Sequence, residues 1–153
     1  MNEELINRNK NINRGFRKLE VWKEAVEFYV YVKKKIIDLS NISYKIKDQI
    51  EASVFSVHSN IAEGYSRRYL KENIQFNNIA LGSLAENYSQ VFALYEADIV
   101  NRNLFDLYDS KHYSLENKLI NYNRAQIRQL KNKANWRDDY TLHDIINKYG
   151  LDE

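Results

Sequence analysis

The sequence predicts an all-α protein, an antiparallel up-down-up-down four-helix bundle with a short C-terminal extension helix. Three observations carry this. Apolar residues recur at steps of three and four through most of the chain, which lays stripes on helices. There is no proline and there are only four glycines in 153 residues, so turn punctuation is too sparse for many short strands. Hydrophobic residues make up 44% and charged residues 29%, enough apolar surface for the core of one domain.

Residues 1–14 are rich in asparagine and charge without a period, and the reading is a flexible arm over 1–15. From Leu19 the stripe runs through Trp22, Ala25, Phe28 or Tyr29, Val32, Ile36 and Leu39, a helix over about 17–39. Ser40-Asn41-Ile42-Ser43 offers short polar side chains as caps. A second stripe, Ile46, Ile50, Val54, Val57 and Ile61, closes at Gly64, which reads as a left-handed helix stop. The third segment spans about 69–99, with Ile74, Leu81, Tyr88 and Tyr95 seven apart and Asn77, Leu84 and Val91 between them. That seam leaves Phe76, Ile79, Ser83, Asn87, Gln90 and Leu94 on a second face, either wrapped by a crowded bundle or offered to another subunit. Asn101-Arg102-Asn103 breaks the pattern and offers the N-cap of a fourth helix, with Asp106 three residues after Asn103, and the stripe of that helix is Leu104, Tyr108, Leu115, Leu119, Tyr122, Gln126 and Leu130. Thr141 and Asp144 then precede the small apolar face of the extension helix. The divisions are an arm at 1–15, a bundle at 16–133 and an extension at 134–153. Short links make neighbouring helices alternate in direction.

Several function classes drop out. Without cysteine there is no disulfide framework, thiolate zinc site or cysteine nucleophile. The start lacks the basic and apolar regions of a secretory signal, and no 18 apolar residues run together. The expectation is a soluble cytoplasmic protein with no membrane contact. His58, His112 and His143 form no set at ligand spacing, and Asp109 with His112 reads as an ordinary helix pair. No metal and no cofactor are predicted. The glycines are isolated, so no phosphate loop exists.

The net charge is only +2, but residues 1–68 carry 13 basic and 9 acidic side chains. Two basic groups have aromatic neighbours. Arg67, Arg68 and Lys71 flank Tyr65 and Tyr69, and Arg124, Arg128, Lys131 and Lys133 form an acid-free run ending near Trp136. Arginine interleaved with aromatics suits phosphate contact and base stacking, so these seven are the candidates for binding RNA or DNA. The alternative is a solvated helix face. Arg137 and His143 have the Arg-x5-His spacing of all-helical ribonuclease domains, a distant third reading.

Three blocks resemble a known family. Phe16-Arg17-Lys18-Leu19-Glu20-Val21-Trp22 with Ala25 is similar to the opening of the four-helix-bundle proteins encoded by intervening sequences of 23S rRNA genes. Ser59-Asn60-Ile61-Ala62-Glu63-Gly64-Tyr65 resembles their most recognisable block, and Ile74-Gln75-Phe76 with Ile79-Ala80-Leu81-Gly82-Ser83-Leu84-Ala85-Glu86 resembles the third-helix block. The resemblance implies a homopentamer without enzymatic activity, with the second face of the third helix at the subunit interface and Gly82 permitting close approach. It also implies a runner-up: an accessory subunit of a diversity-generating retroelement that binds a reverse transcriptase, although those proteins are strongly basic. This chain departs from the family pattern at His58, where proline is usual and a kink is expected. It departs also at Tyr69, where a capping serine is usual and Ser66 is the substitute.

Overall fold

A computed structural model describes residues 3–67 and 69–132, so Arg68, Lys133, the extension over 134–153 and the Arg137–His143 pair lie outside the described residues. All regular structure among the described residues is helical. Four long helices dominate: α1 (Glu20–Val32), α2 (Tyr44–Ser66), α3 (Leu70–Glu96) and α4 (Arg102–Lys131). A π turn over Lys33–Ile37 extends α1, and its wider pitch buries the adjacent Ile36 and Ile37 together. The second helix is continuous through His58, in keeping with the loss of proline there.

The helices pack in a ring, with α1 on α2, α2 on α3, α3 on α4 and α4 on α1. Along each contact, residue numbers rise on one helix as they fall on the other. Gly64 faces Phe76 while Ser53 bonds Gln90 at 2.7 Å. Likewise Asn77 meets Asn123, and Asn87 receives the Tyr108 hydroxyl at 2.9 Å. Tyr29 packs on Phe55, whereas Lys33 pairs with Glu51 at 2.7 Å. Phe28 packs on Tyr108, and Lys118 pairs with Glu24. The centre is filled by fully buried aliphatics, among them Ile50, Val54, Ile61, Leu84, Leu115 and Leu119. Each contributes about 1.5–3 kcal/mol by leaving water.

The boundaries differ from the sequence reading in four places. Gly64 is an interior helical position, because α2 continues to Ser66. A Cβ there would lie 2.7 Å from the Cβ of Phe76, so the glycine permits close approach instead of stopping the helix. The cap of α4 is Asn101, whose Oδ1 accepts from the Leu104 amide at 3.0 Å, and not Asn103. Ser43 and Tyr69 occupy N-cap positions without a side-chain cap bond, and the Ser66 hydroxyl donates back to Ala62 at 2.9 Å instead of capping α3. Finally, the segment read as a flexible arm carries a helical turn at Glu3–Asn7 and a 3-10 helix at Ile12–Lys18.

Helix α3 ends in a Schellman arrangement with Asp98, not glycine, in the left-handed region at φ 57°. The Ile99 amide returns to the Leu94 carbonyl at 2.9 Å and the Asp98 amide to that of Tyr95 at 3.0 Å. No described helix is long and apolar enough to cross a membrane.

Candidate nucleic-acid and subunit interfaces

The register of the helices decides which basic residues can act together. Asn123 of α4 donates to Asn78 of α3 at 2.7 Å and accepts from Asn77 at 3.4 Å. The last turns of α4 therefore lie beside the first turns of α3. Lys71 shares one end of the molecule with Arg124, Arg128 and Lys131, all of them exposed. The α4 residues step by four and three along the outer side of the helix, opposite the buried Asn123 and Gln126. Arg67 is there too but is already engaged. Its guanidinium pairs with Glu63 at 2.6 Å, which raises its pKa, and lies over the Phe76 ring at 5.4 Å.

The sequence reading missed the N-terminal contribution to this end. The 3-10 helix packs on α2, with Gly15 against the Tyr65 ring and Asn13 accepting a long hydrogen bond of 3.5 Å from the Ser66 hydroxyl. This delivers Lys10, Arg14, Arg17 and Lys18 to the end that holds Lys71 and Arg128. One signal for it was present: Asn11 caps the 3-10 helix, its Oδ1 accepting from the Arg14 amide at 3.0 Å.

The subunit-interface candidates scatter. Asn87 is wholly buried and Leu94 is 5% exposed, both inside the chain. Ser83 is buried against α2, with its hydroxyl 2.9 Å from that of Ser56. Gln90 accepts from Ser53, and Phe76 is half-buried over Gly64. Only Ile79, 45% exposed, lies on an outer face. The buried stripe of α3 is Leu70, Asn73, Asn77, Ala80, Leu84, Asn87, Val91 and Leu94, so one seam position falls a residue earlier than expected. The outer face is thereby rotated to Asn78, Ile79, Gly82, Ala85, Ser89, Phe92 and Ala93. Between Asn73 and Tyr95 the one charged residue is Glu86.

The histidines offer little chemistry. His112 is buried among Phe28, Tyr88 and Tyr108, and its Nε2–H donates to the Leu84 carbonyl at 2.9 Å. The Tyr88 hydroxyl has its pKa raised by burial first and then by the nearby Asp109 carboxylate. No cluster that could hold a metal ion occurs among the described residues. His58 is wedged between Phe55 and Tyr29, at 4.6 and 5.7 Å between ring centres, and burial pushes its imidazole below the usual value. A neutral native histidine leaves the unfolded state to take the proton. Stability is thus full above about pH 6.5 and falls as pH drops toward the lower native value. Melting temperature should decline over that interval in thermal scans, and His58→Phe should flatten the decline; an equal slope in both proteins would contradict this.

Compared with family models, residues 17–121 match the one described as 23S rRNA-intervening sequence protein. No curated protein matches the chain. The matched span runs from the 3-10 helix to most of α4. Lys10, Arg14, Arg124, Arg128 and Lys131 lie outside it.

Proposed function

The chain belongs to the 23S rRNA-intervening sequence protein family, and from that membership we propose that it is a non-enzymatic, self-associating up-down-up-down helical bundle that binds RNA or DNA through its basic end. The observation that carries the reading is the shared location of Lys71, Arg124, Arg128, Lys131 and the basic 3-10 segment, distant in sequence and gathered by register. A net charge of +2 would not hold a polyanion by itself. A local cation field, repeated around a homopentamer, does so by raising the effective concentration of each patch for its neighbours. The outer face of α3, on which Glu86 is the one charged residue between Asn73 and Tyr95, supports the self-association, since an exposed helix face normally carries more charge for solubility.

The test is filter binding of structured RNA across a salt series. The native chain should bind with a steep negative dependence on salt. The variant with Arg124, Arg128 and Lys131 all changed to alanine should bind more weakly at every salt concentration. Its slope should be shallower by about 2–3, from three lost phosphate contacts at roughly 0.7–0.9 each. Equal slopes would remove α4 from the interface. No binding even at low salt would remove nucleic acid altogether.

A further inference from the structure

The N-terminal segment does more than add charge to the basic end: it closes a cavity of about 450 Å³ against α2. Lys10, Arg14, Arg17 and Lys18 line it, Tyr65 is its aromatic wall, and none of the lining residues is acidic. The way the segment is held explains why the charge there is uncompensated. Arg17 reaches back into the preceding loop, where Nη1 donates to the Leu5 carbonyl at 3.1 Å and Nη2 to the Arg8 and Asn9 carbonyls at 3.0 and 3.3 Å. Its Nε donates to the Arg14 carbonyl at 3.3 Å. Every one of these acceptors is neutral, so the guanidinium makes four hydrogen bonds with no carboxylate among its partners in the described residues. Arg14 bonds the Asn9 carbonyl at 3.4 Å, again a neutral partner. Asn9 adopts the left-handed region at φ 52°, which turns the loop so that these carbonyls face Arg17.

Four like charges around one cavity repel each other, and the repulsion is relieved by an anion between them. We propose that this cavity seats a phosphodiester of a single-stranded nucleic acid, with the adjacent base laid on the Tyr65 ring. The proposal rests on the nucleic-acid reading above and deepens it, naming the 3-10 segment and Tyr65 in place of the α4 run at the same end. The chemistry fits a strand better than a free anion. Lys10 and Lys18 are flexible point charges at an open mouth, suited to a phosphate that enters as part of a chain. An aromatic wall beside them has no role for inorganic phosphate but accepts any base by its π face. Gly15 belongs to the same design: a Cβ there would come 2.8 Å from the Tyr65 ring carbon that bears the hydroxyl, displacing the wall.

The experiment uses the full chain and a short fluorescein-labelled single-stranded RNA, titrated across a salt series, with inorganic phosphate as competitor. Lys10→Ala with Lys18→Ala should weaken binding about tenfold at low salt and reduce the salt slope by about 1.4, two contacts at roughly 0.7 each. Tyr65→Leu should lose about tenfold in affinity with the slope unchanged, since stacking carries no counterion. Both lysines are exposed, so circular dichroism should show the native helix content in their variant. If the native chain binds the RNA and the double lysine variant binds identically, the cavity is overturned while the nucleic-acid reading stands. If the native chain does not bind at low salt, both fail. If millimolar-range phosphate displaces the RNA while Tyr65→Leu binds normally, the site takes a free anion and the strand is overturned.

Discussion

Changing Asn87 to alanine is expected to lower the free energy of unfolding by about 3 kcal/mol and the melting temperature by roughly 6–12 °C. The residue is fully enclosed where α2, α3 and α4 meet. Its Nδ2 donates to the Ser53 hydroxyl at 2.9 Å and to the Ile50 carbonyl at 3.3 Å, while its Oδ1 accepts the Tyr108 hydroxyl at 2.9 Å. Burial pushes the pKa of Tyr108 far above its usual value, so that hydroxyl is always a donor and always needs an acceptor. Alanine would remove the acceptor from a hydroxyl with no access to water, and the stranded group makes the larger contribution to the loss. The companion variant separates this from simple cavity formation. Asn87→Leu combined with Tyr108→Phe removes donor and acceptor together and should recover most of the loss. Chemical denaturation of the three proteins measures it. A loss below about 1 kcal/mol for Asn87→Ala would mean the network adds little.

The same asparagine shows why part of the molecule was readable in the sequence and part was not. The stripes of α1, α2 and α4 are mostly aliphatic or aromatic, and Ala25, Val32, Ile50, Val57, Leu115 and Leu119 are all buried as periodicity predicts. In α3 the interior carries Asn73, Asn77 and Asn87, which a hydropathy pattern counts as surface. Reading Ile74, Leu81, Tyr88 and Tyr95 as the seam was then the natural choice. Those four are only half-buried, whereas Asn77, Leu84 and Val91 are buried as the seam reading expects, so the buried face is shifted by about half a residue step, roughly 50°. The candidate interface moved with it. Buried amides satisfied across helices, such as Asn87 with Ser53 and Tyr108, are a tertiary property with no local signature. The basic groups of Lys71 and Arg124–Lys131 were visible as charge runs, but their common location depends on register, and the contribution of Lys10 to Lys18 depends on a loop held by Arg17. That loop has no apolar period from which a docked structure could be expected.

The glycines of α2 and α3 give the second large effect and connect the fold to the assembly. Gly64→Val should lower stability by about 3 kcal/mol, roughly 6–12 °C in melting temperature. Beyond the contact with Phe76, an added Cβ would sit 3.3 Å from the Asn73 carbonyl oxygen and 3.4 Å from its Cα, and backbone atoms yield only if α2 and α3 part. Helix propensity works the other way by up to about 1 kcal/mol, too little to offset the overlap. Gly82 is the contrasting case. A Cβ there meets nothing within 4 Å, so nothing in the chain itself calls for glycine at a mid-helix position where alanine would be about 1 kcal/mol better. The residue sits at the centre of the sparsely charged outer face, between Ile79 and Phe92. If a second copy packs on that face, as the proposed self-association requires, Gly82→Leu should convert the oligomer to monomers by light scattering with helix content retained. Gly64→Val, in contrast, should lower the melting temperature of whatever species is present. An oligomer unchanged by Gly82→Leu would place the subunit contact on another face, because a leucine side chain has no room in a close helix pair.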